Sequence, residues 1–216
     1  MATFRDRSEA GEKLADALAG LHLADPVVFA LPRGGVPVAV PVARRLNAPL
    51  DLLLVRKIGV PGHEELAVGA VVDGAVHEAV FNPTVLRMIG MDEADFAPAI
   101  DRKLAEIETR RATYLGGAAP VPVEGRTAIV VDDGIATGAT VKAALLGLKR
   151  RRPASIVLAV PVAPADTLAE LEPLVDRVVC LEVPADFYAV GVHYRDFPQV
   201  EDEEVIALLA AARADR

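Results

Sequence analysis

The sequence predicts an α/β fold, a mostly parallel central sheet flanked by helices. Three observations carry this. Apolar residues make up 52% of the 216, yet aromatic residues only 4%, so the core is Ala, Val and Leu. That composition suits strands buried on both faces. Short apolar runs alternate with segments of helical periodicity. Two of the runs end in small-residue or charged loops that lead directly into a helical pattern, as in a parallel sheet.

In chain order, Asp6 and Glu9 have capping-box spacing. Ala10, Leu14, Ala17 and Leu18 follow at helical spacing, and Gly20 suits the stop. Residues 27–31 read as a strand, Pro32-Arg33-Gly34-Gly35 as a loop, and 36–46 as a helix. Pro41 should kink that helix or delay its start. Residues 50–55 read as the next strand, with Arg56 and Lys57 at its carboxyl edge, where α/β folds place ligands. The stretch 58–67, with Gly59, Pro61, Gly62 and His63, reads as a flexible loop. Residues 68–72 and 75–81, around Asp73-Gly74, read as a hairpin. Residues 92–115 are mostly helical, with Phe96, Ile100, Leu104 and Ile107 on one face, and 116–122 are a connector. Residues 73–125 therefore form an excursion between sheet strands. The strands 128–131, 155–162 and 177–183 alternate with helices 141–148 and 165–174, and 201–212 form a closing helix. The 216 residues read as a single domain.

The chemistry concentrates where the strand 128–131 ends. Asp132 and Asp133 follow it, Gly134 permits a sharp turn, and Thr137-Gly138-Ala139-Thr140 leads into a helix. Backbone N–H groups and the helix dipole at such a start attract a phosphate dianion. Small Gly138 and Ala139 allow close approach, and the hydroxyls of Thr137 and Thr140 can add hydrogen bonds. Asp132 and Asp133 repel phosphate but suit sugar hydroxyls or a nearby magnesium ion. The loop is not a Walker A loop, because Gly138 is followed by Ala139 rather than lysine.

This stretch resembles the phosphoribosyl-pyrophosphate-binding motif of type I phosphoribosyltransferases: four apolar residues, two acids, two mostly apolar residues, then a small Thr-Gly-rich loop. Gly134 departs from it, standing where an apolar residue is more usual. Pro32-Arg33-Gly34-Gly35 resembles the family's pyrophosphate loop. Basic residues at the place of Arg56 and Lys57 commonly meet pyrophosphate there, and 58–67 matches a mobile cover. The stretch from Phe187 to Asp196 is similar to the hood of 6-oxopurine enzymes, with Tyr188 stacking on the base and Asp196 helping to hold metal.

The resemblance implies the type I fold with a hood at 184–200. It also implies displacement of pyrophosphate from phosphoribosyl pyrophosphate by a nitrogenous base, purine or pyrimidine. Asp132, Asp133, Arg56 and Lys57 are then the catalytic residues. Arg33, Gly34, Gly35, Gly134, Ile135, Ala136, Thr137, Gly138, Ala139, Thr140 and Tyr188 bind substrate. Magnesium sits near Asp132, Asp133 and Asp196, through water or substrate, and the protein is a homodimer. Ala136 stands where 6-oxopurine enzymes usually carry an aspartate. Two other functions stay open: a phosphoribosyl-pyrophosphate sensor without transferase activity, and a metal-dependent phosphohydrolase. Phe187, Tyr188, Tyr194 and Phe197 share one short stretch of a chain with only six Phe and three Tyr. They read equally as a seat for a flat ligand and as a local core.

Composition excludes other classes. A net charge of −8 argues against broad contact with a nucleic-acid backbone. The single cysteine, Cys180, reads as a small buried hydrophobe, and with no disulfide framework a reducing, cytoplasmic compartment fits. Neither an apolar signal core nor a membrane span is expected.

Overall fold

The computed structural model describes residues 3–60, 63–73 and 78–214. Helix α1 (Arg7–Ala19) starts at Asp6, whose carboxylate accepts from the Glu9 N–H. This is half of the expected capping box. The Glu9 carboxylate takes the Arg5 N–H instead of that of Asp6. Strand β1 (Pro26–Ala30), helix α2 (Gly35–Arg45) and strand β2 (Leu50–Leu52) follow. Helix α2 runs through Pro41 rather than starting after it. Gly11 of α1 leaves room beside that ring: a Cβ there would stand 2.5 Å from the Val38 carbonyl oxygen and 3.1 Å from the Pro41 Cγ. Gly11→Val should therefore lower stability by about 1–3 kcal/mol, the usual cost of overpacking. An unchanged denaturation midpoint would mean that α1 and α2 do not pack this closely.

The chain then leaves the sheet, and two expectations need correction. The strand expected at 50–55 ends at Leu52, and Val55–Val60 is a new strand, β3, antiparallel to β4 (His63–Val72). Arg56 and Lys57 are therefore inside β3, opposite Val71 and Ala70, and not at a carboxyl edge. The flexible loop expected at 58–67 is largely strand as well, because β4 supplies partners for its backbone; the register shift around Gly59 absorbs the irregularity. Pro61 and Gly62 lie outside the described residues, as do Gly74 and 75–77 of the expected hairpin. The hairpin pairing itself is present, between β4 and β5 (Glu78–Phe81).

Helix α3 (Pro83–Ile89) escaped the sequence reading, although its signals are plain. The Asn82 side chain accepts from the Thr84 and Val85 N–H groups, Pro83 opens the first turn, and Gly90 closes the helix in the left-handed region. A 3-10 turn (Glu93–Phe96) and α4 (Ala97–Leu115) complete the excursion, burying Phe96 and Ile107. Arg111 of α4 ties the excursion to the sheet. Its guanidinium reaches both oxygens of Asp51 in β2, at 2.8 and 3.0 Å, and also the Asp73 carboxylate. The remaining elements are β6 (Thr127–Val131), α5 (Ala139–Arg150), β7 (Ser155–Val162), α6 (Ala165–Leu171), β8 (Arg177–Glu182) and α7 (Asp202–Ala214).

The central sheet has the order β2-β1-β6-β7-β8, with every pair parallel. Alternation along the strands feeds two cores. Val28, Ala30, Ile129 and Val131 pack with residues of α1, α2 and α7, while Val27, Phe29, Ala128 and Val130 pack with residues of α5. From β1 the chain moves outward to β2; from β6 it moves the other way, to β7 and β8. The strand order reverses between β1 and β6, and open α/β sheets hold ligands outside the carboxyl ends at such a point.

Candidate functional site

Two loops meet at this crevice. The Leu31 N–H, just past β1, donates to the Val131 carbonyl at 2.9 Å. Gly34 and Gly35 then pass directly over the two acids. A Cβ on Gly35 would stand 2.7 Å from the Val131 carbonyl oxygen and 3.0 Å from the Asp132 Cα, and one on Gly34 would collide with the Asp133 carboxylate. Only glycine lets the loops touch. Arg33, whose peptide with Pro32 is cis, turns its guanidinium toward the start of α7, 3.4 Å from Glu201 and 3.5 Å from Asp202.

The two acids are held differently. Asp132 accepts the Asp133 N–H at 2.9 Å. Asp133 accepts the Arg7 Nε–H at 2.8 Å, and the Tyr194 hydroxyl donates to its carbonyl oxygen at 2.6 Å. Burial pushes both carboxyls above their ordinary range. Asp132 rises well above it, because the Asp133 charge adds to burial, whereas the Arg7 bond pulls Asp133 back. Burial and the Asp133 charge also push the Tyr194 phenol up.

Arg7 is absent from the sequence reading of the site, and Tyr194 enters it only as one of four hood aromatics. A signal for Arg7 existed: a cation in the first turn of a helix faces the unfavourable end of the dipole and asks for a partner elsewhere. Tyr194 carried none that separates it from its aromatic neighbours.

Beyond the acids, Gly134 meets the hood. A Cβ there would stand 2.6 Å from Val190 and 2.9 Å from Val162, so the hood valine fills the space an apolar side chain would take. Ile135 is buried, with its N–H on the Val162 carbonyl. Ala136, Thr137, Ala139 and Thr140 are exposed. The Ala136 carbonyl accepts the Thr167 hydroxyl at 2.9 Å. Gly138 precedes α5 at φ 71° and makes no side-chain cap, so among the described residues the first backbone donors of α5, beside exposed Ala139 and Thr140, are uncapped and suited to an anion.

Hood aromatics divide between the two readings. Phe187 stacks on His193 at 5.7 Å, and Tyr194 packs against Phe4 and Phe197 at 5.3 and 4.8 Å. Tyr188 is 87% exposed and open to a flat ligand. Asp196 is exposed, its N–H donating to the Arg5 carbonyl. Among the described residues no three His, Cys, Asp or Glu side chains form a group able to hold a metal ion, so Asp132, Asp133 and Asp196 make no ready cage.

Arg56 and Lys57 part company, since neighbours on a strand face opposite ways. Arg56 lies 3.6 Å from Glu106 of α4. Lys57 lines a cavity of about 360 Å³ with Ala139 and Lys142 at the head of α5, and also a second cavity with Asp95 and Arg102. Cys180 is half-buried rather than buried, and burial pushes its thiol up. No helix among the described residues is long and apolar enough to cross a membrane.

The chain is similar to known proteins along its whole length. A family model, the phosphoribosyl transferase domain, matches residues 6–196. Proteins of two Mycobacterium tuberculosis strains, CDC 1551 / Oshkosh and H37Rv, each named "Putative phosphoribosyl transferase", are 46% identical over 215 residues. The match covers 100% of this chain but 48% of theirs, so the chain spans about half the length of these relatives. The crystal structure of TT1426 from Thermus thermophilus is 44% identical and superimposes with a TM-score of 0.84, covering 98% of this chain and 99% of that one.

Proposed function

The chain belongs to the phosphoribosyl transferase domain family, and we propose that it moves a phosphoribosyl group from phosphoribosyl pyrophosphate to a nitrogenous base, purine or pyrimidine, releasing pyrophosphate. The observation that carries this is the meeting of the Gly34-Gly35 loop with Asp132 and Asp133 at the sheet's switch point. In this reading the loop from Ala136 to Thr140 cradles the 5′-phosphate on backbone N–H groups. Asp132 and Asp133 take the ribose hydroxyls, and Gly134 and Ile135 set the turn between the two. Arg33, Gly34 and Gly35 face the diphosphate, with Arg56 and Lys57 arriving from β3. The diphosphate would compete with Glu201 and Asp202 for Arg33. Tyr188 offers its ring to the base. Catalysis is then mainly orientation of the anomeric carbon by remote binding. The same proposal treats residues 1–216 as one domain with a hood at 184–200, acting in the cytoplasm as a homodimer. Its mass in solution checks the last point.

Two part-buried carboxylates, one already engaged by Arg7, fit magnesium that arrives with the diphosphate better than a cage built by the protein. Magnesium keeps several waters and typically takes one or two carboxylates plus substrate phosphates. When bound, it would neutralise charge on the departing diphosphate. Titration calorimetry should accordingly show no millimolar magnesium site in the free protein and a clear one in the presence of phosphoribosyl pyrophosphate. Tight binding by the free protein would overturn this assignment.

Exposed Ala136, lacking a carboxylate, supports a second reading, a sensor that binds phosphoribosyl pyrophosphate without transferring it. Pyrophosphate release measured with and without a panel of bases separates the readings. Release that needs a base supports the transferase. Binding without release supports the sensor, and release without a base supports a phosphohydrolase.

A further inference from the structure

We infer that Arg7 is a positioning residue of the site, a clamp by which the N-terminal helix and the hood together hold Asp133 in place for the sugar. The side chain is 10% exposed and makes three separate contacts. Its Nε–H donates to the Asp133 carboxylate at 2.8 Å, and its NH1 donates to the Pro198 carbonyl at 2.7 Å. Its guanidinium carbon lies 3.7 Å over the Phe197 ring. Those hydrogen bonds join residues that are 126 and 191 positions away in sequence. Tyr194 closes the ring from the other side, with its hydroxyl on the Asp133 carbonyl at 2.6 Å and its own ring on Phe197. Neighbouring residues fasten the same seam: the Arg195 N–H donates to the Phe4 carbonyl, the Asp196 N–H to that of Arg5, and the Phe4 N–H to that of His193.

A planar fork that satisfies a carboxylate and a carbonyl while stacking on an aromatic face is a task for arginine alone. Lysine, a compact point charge, cannot do all three. The contact on Asp133 uses one carboxylate oxygen and leaves the other for a ligand. Asp132 lies beside it with no ion pair of its own among the described residues. Without Arg7, the two acids lose the one cation among the described residues shown paired with either of them, Asp133 can rotate away, and the hood loses its hold on the loop after β6. The clamp thus acts through Asp133 and touches neither sugar nor diphosphate.

This inference rests on the proposed site for phosphoribosyl pyrophosphate, and the test separates the two. Wild type, Arg7→Met, Arg7→Lys, Asp133→Asn and the Arg7→Met/Asp133→Asn double variant are compared in binding and in steady-state assays. Arg7→Met should raise KM or Kd for phosphoribosyl pyrophosphate about ten- to a hundredfold with kcat changed far less, because an interaction with the bound sugar is lost in ground and transition states alike. Arg7→Lys should recover part of the loss. In the Asp133→Asn background the Arg7→Met change should add less than about threefold, since coupled residues are not additive. Additive losses would overturn the clamp, as would a kcat loss with KM unmoved.

If Arg7→Met folds poorly, Tyr194→Phe probes the same seam with a milder change and should raise KM in the same direction. Amide hydrogen exchange of the free protein provides a reading that needs no ligand. Arg7→Met should speed exchange at Gly134–Ile135 and at the hood together. Faster exchange confined to α1 would overturn the clamp. Failure of wild type to bind phosphoribosyl pyrophosphate, with the coupled exchange intact, would count against the proposed function and leave the clamp standing.

Discussion

Gly138→Val should abolish measurable binding of ribose 5-phosphate and also lower the melting temperature. Both effects come from one position. Gly138 holds φ at 71°, a region that costs a β-branched side chain about 1–3 kcal/mol. Its new Cβ would also stand 2.8 Å from the Thr167 Cγ2. That methyl ends a short side chain whose hydroxyl is already engaged by the Ala136 carbonyl, so it has little freedom to retreat. A loss of this size is survivable in a domain of ordinary stability. For binding, the branched methyls would stand over the head of α5, where the backbone donors are. A hydrogen bond to a charged group contributes about 1.5–3 kcal/mol. Losing two therefore means at least about a hundredfold in affinity. The control is Gly138→Ala with Thr167→Ser, which removes the offending methyl and keeps the hydroxyl. It should recover part of the stability while leaving the backbone strain. Calorimetry with ribose 5-phosphate and thermal unfolding are the measurements. If the Gly138→Val variant binds the phosphate as wild type does, the phosphate does not sit on this loop.

Much of the architecture was legible because a parallel sheet imposes simple local rules. Strands buried on both faces are continuous apolar runs, so 128–131 and 155–162 could be read almost to the residue. The family model and the Thermus structure place the chain in the expected fold family. The antiparallel sheet was harder to see. Arg56 and Lys57 look like a strand's end and Gly59 and Pro61 like a loop, because local propensity cannot register that β4 runs alongside and pairs with 55–60. The excursion's anchor, Arg111 on Asp51 and Asp73, was invisible for a related reason: the partners lie 60 and 38 residues away.

At the site, the loops were legible but their wiring was not. Gly34, Gly35 and Gly138 announced close approaches; the first two lie against the acids, and Gly138 lies against Thr167. That the close approach of the first loop is to the second loop's acids is a fact of packing. So is the role of Val190, which explains why Gly134 replaces an apolar residue: the volume is filled from the hood. Arg33, the cation expected on the diphosphate, rests instead against Glu201 and Asp202, two acids the sequence offered only as the start of a helix.

Asp132→Asn should make the protein more stable at neutral pH while weakening its hold on phosphoribosyl pyrophosphate. Asp132 is desolvated and sits beside Asp133, and its carboxyl is pushed well above the ordinary range by those two causes in that order. In the unfolded chain the same group ionises near about 3.9. Below that value both states are protonated, and the stabilising contribution of the neutral acid is fully present. As pH rises, the unfolded state gives up its proton first, and stability falls until pH passes the raised folded value. Asparagine has no proton to lose and can still accept the Asp133 N–H through its amide oxygen. The variant should therefore be more stable than wild type at about pH 8, each kcal/mol gained raising the melting temperature by roughly 2–4 °C in a chain of this length. The gain should shrink toward zero by about pH 3.5. Binding moves the other way: the amide is a weaker acceptor for ribose hydroxyls, and an affinity loss of about ten- to a hundredfold matches the loss of one charge-assisted bond. Denaturant midpoints of both proteins across this pH range, with calorimetry at neutral pH, decide it. A stability difference that stays constant with pH would mean that Asp132 carries no desolvation penalty. Unchanged affinity would remove it from the sugar site.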